Sequence, residues 1–113
     1  MAIIVACASV GLDAGYARIN RMGFVYPIEG EASAEALIQI YVSQEARESG
    51  LEPVQQAFIV VPLTVFNGAY SDLGAYPNAD VRETFYSYLR DPNRGITAGE
   101  EVAGIDFRNG VDA

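Results

Sequence analysis

The side chains that carry most enzymatic chemistry are missing from this chain. Its 113 residues contain no histidine, no lysine, no tryptophan and a single cysteine, Cys7. Without histidine, neither a Ser-His-Asp nor a Cys-His relay can be assembled. Without lysine there is no Schiff base and no phosphate-binding Walker lysine. A structural zinc site takes about four Cys or His ligands, and Cys7 alone is available. Carboxylates, arginines and tyrosines remain: fifteen acids, seven cations (all arginine) and seven tyrosines.

Acid/base work by a carboxylate pair is the one enzymatic chemistry whose parts are present. A glycosidase holds two carboxylates at fixed separation around a sugar cleft. Asp72 and Asp80 flank an aromatic loop, but their spacing fixes no geometry, and no tryptophan is present to stack a sugar. A second set, Glu29, Glu31, Glu35, Glu45, Glu48 and Glu52, crowds acids into one stretch with only Arg47 among them. Such a set either attracts a hard cation such as calcium or forms a solvated face. No D-x-D-x-D-G spacing accompanies it, so a solvated face is expected. No catalytic, metal or cofactor residue is assigned, and the expectation is a protein that is not an enzyme.

The net charge of −8 bears on partners. An acidic surface repels nucleic-acid phosphates and anionic lipid, so no direct nucleic-acid or membrane partner is expected. No stretch reaches the ~18 apolar residues of a membrane span. The run Ala2–Ala8 lacks the basic flank of a signal peptide and reads as a strand. Cys7 within it has no disulfide partner and reads as a small buried hydrophobe.

Half the residues are apolar or aromatic, enough for one core at this length. Ala2–Val10 reads as a buried strand, followed by a turn at 11–15. Tyr16–Tyr26 alternates as a second strand, bent at Gly23. Its pattern places Ala17, Ile19, Val25 and Arg21 on one face, and Arg18, Met22 and Phe24 on the other. Ala36, Ile38, Ile40 and Val42 mark one face of a third strand. Ser43 then caps a short helical turn that ends at Gly50, before Pro53. Val54–Phe66 is a fourth strand, and Pro62 makes it an edge strand or a bulged one.

A loop over 67–78 follows, rich in Gly, Tyr and Asn. A helix over about 79–90 carries the stripe Val81, Phe85, Tyr88 and Leu89, capped by Asn78 or Asp80. Arg94–Ala113, rich in Gly and acids with scattered apolar residues, has too little to form a core of its own. The expected fold is α+β and β-rich: an antiparallel sheet or small sandwich of about four strands with one C-terminal helix. A single domain spans 1–93, and an extended C-terminal arm spans 94–113.

Surface shape is then what the chain has to offer. Phe66, Tyr70 and Tyr76 on their Gly-bearing loop either form a contact surface or cover the open sheet edge. Tyr86 falls near the rim of the helix stripe. Arg94 and Arg108, with Ile105 and Phe107, lie on the arm. The protein-interface candidates are therefore Tyr70, Tyr76, Tyr86, Arg94, Ile105, Phe107 and Arg108.

The segment Ala36–Val54, a strand followed by Glu45-Ala46-Arg47, Gly50 and Pro53 and then a further strand, resembles a pattern in small structural proteins of tailed bacteriophages. The resemblance implies a virion component of the tail, baseplate or head-tail region, synthesised in the host cytoplasm. It implies copies of itself and other virion proteins as partners, a homo-oligomer, and no catalytic residue. The expected function is structural assembly through protein-protein contacts. The alternative is a small acidic inhibitor that mimics nucleic acid, against which the high apolar content weighs.

Overall fold

Alternation in the middle of the chain sets the frame. In β3 (Ser33–Tyr41) every second residue from Ala34 to Ile40 is buried, and in β4 (Gln55–Pro62) the buried set is Ala57, Ile59 and Val61. The computed structural model describes residues 2–64 and 81–113. It holds one antiparallel sheet of five strands in the order β4-β3-β2-β1-β5, with β1 Ile3–Cys7, β2 Leu12–Val25 and β5 Val111–Asp112. Among the described residues three α-helices accompany it: α1 Gln44–Glu48, α2 Val81–Arg90 and α3 Ala98–Ala103. The fold is α+β and β-rich, a single sheet whose buried strand residues join one hydrophobic cluster with residues of α2, α3 and the C-terminal segment. Among the described residues no helix is long and apolar enough to cross a membrane.

The β3–α1–β4 unit forms as its sequence dictates. The Ser43 hydroxyl accepts the Ala46 N–H at 3.0 Å, capping α1, and Gly50 takes φ +81° just beyond its end. Pro62 closes β4, an outer strand, where a missing N–H costs the ladder nothing. The caps expected at Asn78 or Asp80 lie outside the described residues.

β2 departs from its alternation. It begins at Leu12, inside the stretch read as a turn, with only Gly11 (φ +73°) in a left-handed conformation. Its register against β3 slips between Ile19 and Arg21, so Asn20 has no partner there. Such an extra residue moves everything beyond it to the opposite face. Met22 and Phe24 stand opposite Ala36 and Ala34, on the core side with Ile19, whereas Arg21 stands opposite Leu37 on the outer face. Arg18, opposite Gln39, shares that outer face, contrary to the sequence expectation that separated the two arginines. The irregularity is at Asn20, three residues before the bend expected at Gly23.

The largest correction concerns residues 94–113, which are not an extended arm. α3 packs against β4, so close that a Cβ on Gly99 would overlap the Phe58 carbonyl oxygen. The chain then passes through a 3-10 turn at Phe107–Asn109 and pairs β5 with β1. One C-terminal segment therefore covers both edges of the β1–β4 array, whose outer strands would otherwise be β1 and β4, a standard protection for unpaired edges. Ala103, Ile105 and Phe107 join the same apolar cluster as Ile3, Ile38 and Ile59, so the core does not close within 1–93.

Candidate interaction face and the ion pair beneath it

The C-terminal segment is held by a buried ion pair. Arg94 donates to Glu100 Oε1 at 2.6 Å and Oε2 at 2.9 Å, and their side chains are 3% and 0% exposed. The guanidinium also donates to the carbonyls of Leu89 (2.8 Å), Tyr88 (2.9 Å) and Gly95 (2.9 Å), closing the C-terminal end of α2. It lies 4.9 Å from the centroid of the Tyr88 ring. Glu100 in turn accepts from Thr97 N and Oγ1 and from Phe107 N at 2.9 Å. Thr97 and Glu100 form a capping box at the start of α3. Burial alone would raise the Glu100 pKa; the hydrogen bonds from Arg94, Phe107 and Thr97 outweigh it and hold the carboxyl below its ordinary value. At the far end of α3 the Ala103 carbonyl accepts from Ser9 Oγ (2.9 Å) and Gln55 Nε2 (3.1 Å).

These contacts revise the interface candidates. Arg94, Ile105 and Phe107 are buried within the chain and have no surface to offer. Tyr86 is fully buried rather than at a rim: the buried stripe of α2 is wide enough to take in Tyr86 with Phe85, Tyr88 and Leu89, all in the one apolar cluster. Its hydroxyl accepts the Ile19 N–H at 2.7 Å, beside the β2 irregularity. Burial raises its pKa, against the lowering effect of that bond and of Arg18 and Arg82. Arg108 is half-buried and paired with Asp106 at 2.7 Å, a contact that holds the Asp106 carboxyl below its ordinary value. Tyr70 and Tyr76 lie outside the described residues, as do Phe66, Asp72 and Asp80. Among the described residues no group of three or more His, Cys, Asp or Glu side chains is arranged to hold a metal ion.

The exposed apolar surface lies elsewhere, on the outer face of the sheet. Leu37, Phe58 and Val60 point away from the core, and α3 adds Ala98, Gly99 and Val102. Together with Gln56 they line a cleft of about 510 Å³. Phe58 and Val60 are roughly half exposed (48% and 47%) and Val102 is 89% exposed. A neighbouring hollow, which shares Leu37 and Phe58 with the cleft, is lined by both Arg21 and Glu35, and Arg21 makes no ion pair among the described residues. No family model, curated protein or solved structure matches this chain.

A second exposed apolar element is the tip of the β2–β3 hairpin. Tyr26 and Ile28 are 71% and 104% exposed there, with Glu29 next in sequence. Gly30 turns the tip with φ +103°. The sequence analysis places Glu29 and Glu31 in the acidic set and assigns no role to Ile28. The signal was present: an isoleucine set between Pro27 and Glu29, where folding alone asks for no large hydrophobe.

Proposed function

We propose that this protein is a non-enzymatic assembly subunit that joins copies of itself head to tail, the β2–β3 tip of one copy seating in the outer-face cleft of the next. The observation that carries the reading is the pairing of a protruding apolar tip with an apolar cleft on the same molecule. A projection and a complementary pocket at different sites make a heterologous contact, which closes into a ring or propagates as a filament. The resemblance of Ala36–Val54 to small tailed-phage proteins supports assigning the assembly to a virion, where rings and tubes of small subunits are the common building plan.

Light scattering coupled to size-exclusion chromatography tests this. The unaltered protein is expected to run as an oligomer, and Ile28→Asp and Phe58→Glu each as a protomer. Mixing the two variants restores one intact tip-and-cleft contact, so a one-to-one heterodimer is expected. An unaltered protein that stays solitary at all concentrations, or variants that fail to pair on mixing, would sink the reading. The protein's presence at high copy number in purified particles from its native source tests the virion assignment separately.

A further inference from the structure

A small polar cavity of about 130 Å³ is lined by Arg18, Ile19, Asn20, Gln39, Tyr41, Arg47 and Arg82. Three of the seven arginines face it, and no acid among the described residues does. In a chain of net charge −8 that segregation runs against the general balance. The three cations come from separate elements, β2, α1 and α2, so no local periodicity gathers them.

Two of them are unoccupied. Arg18 and Arg47 make no ion pair and no side-chain hydrogen bond among the described residues, whereas Arg90, Arg94 and Arg108 each hold a carboxylate. Both unpaired arginines are only partly exposed, and their backbones are fixed, Arg18 in the β2–β3 ladder and Arg47 in capped α1. The slip at Asn20 contributes as well: it leaves that residue without a ladder partner and aims it at the cavity. Gln39 Oε1 accepts from Tyr41 Oη at 3.0 Å and its Nε2 donates to Gln56 Oε1 at 3.4 Å, so the amide is held in place with one N–H left over. The wall is thus rich in N–H donors.

We propose that this cavity binds a phosphate-type oxyanion, free or as the phosphoryl group of a small molecule. Guanidinium forks match such oxygens with paired hydrogen bonds. The two unpaired cations, Arg18 and Arg47, suit a double negative charge better than a single carboxylate. The cavity admits a few atoms beyond a water cluster, which selects a compact anion over a folded protein segment. The site is separate from the apolar cleft, and its occupation does not depend on self-assembly.

Isothermal titration with inorganic phosphate, adenosine monophosphate and acetate, at constant ionic strength, tests the proposal. One phosphate per chain is expected, with acetate at least tenfold weaker, about one charge-assisted contact. Tighter binding of the monophosphate identifies a phosphoryl ligand, and equal or weaker binding identifies the free ion. The double variant R18Q/R47Q is expected to lose at least tenfold in phosphate affinity, while R21Q, outside the cavity, retains it. On the unaltered protein, phosphate should shift the Asn20 and Gln39 side-chain amide resonances. No binding of either phosphate, acetate binding as tightly, unmoved amides, or equal losses in R21Q would each overturn the proposal.

Discussion

Glu100→Gln removes one charge and almost no volume, which makes it the sharpest probe of the C-terminal segment. In the folded protein Glu100 takes five hydrogen bonds, two from Arg94, two from Thr97 and one from the Phe107 N–H. A glutamine supplies one oxygen and turns an N–H₂ toward the rest. Arg94 keeps its carbonyl contacts but is left as an uncompensated charge, with its side chain 3% exposed. Breaking a buried pair in this way costs about 3–5 kcal/mol. That is a large part of the about 5–15 kcal/mol that holds a domain together. In urea, at roughly 2 kcal/mol per M for a protein of this size, the midpoint should fall by about 2 M.

The paired apolar replacement R94M/E100L separates two explanations. Where an ion pair serves only itself, such a swap is neutral or stabilising. Here it would orphan the Leu89 carbonyl and the Phe107 N–H, at about 1–3 kcal/mol each. The double variant should therefore remain clearly less stable than the unaltered protein. A Glu100→Gln midpoint within about 0.5 M of the original, or a double variant as stable as the original, would refute the reasoning.

Four further outcomes follow from the same contacts. Because the folded Glu100 carboxyl is held below its ordinary pKa, its contribution is complete above the ordinary carboxylate range and fades as pH falls through the folded value; a urea series across acidic pH should show this limb, and Glu100→Gln should flatten it. Tyr86→Phe leaves the Ile19 N–H without its acceptor and should cost about 1–2 kcal/mol by the same measurement. Gly99→Ala drives a methyl group into the β4 backbone at Phe58, so a loss of about 1–3 kcal/mol is expected, with α3 amides exchanging hydrogen faster than those of β3. Truncation after residue 93 removes Phe107, the buried pair and the cover on both edges of the β1–β4 array, so circular dichroism should show an unfolded or aggregated product rather than a stable domain.

Local chemistry made the β3–α1–β4 unit legible. Ala36, Ile38 and Ile40 alternate cleanly, Ser43 and Gly50 bracket the helix, and Pro62 marks an outer strand. The slip at Asn20 was not legible, because no glycine or proline flags it and one extra residue inverts the facing of everything after it. The C-terminal segment was misread for a different reason. Few of its residues are apolar, and the value of Arg94 depends on carbonyls of α2 that only the folded chain brings near. A trace of it was visible as Thr97-x-x-Glu100, the pattern of a capping box, followed by Gly104, which adopts φ +71° just after α3. Of the proposed tip-and-cleft contact, Phe58 and Val60 could be assigned to strand faces from sequence, but that β4 borders a cleft with α3 could not.

Protection of the sheet's two rims comes from residues the ribosome supplies after every strand they cover. At about 5–20 residues per second, the 51 residues from the end of β4 to 113 take on the order of three to ten seconds, and the nascent β1–β4 array waits that long for its cover. Throughout that interval both rims are open to a neighbouring nascent chain. A protein made in quantity would benefit from a chaperone that holds this half-finished sheet, and slow codons within the final stretch should lower its soluble yield more than slow codons placed earlier.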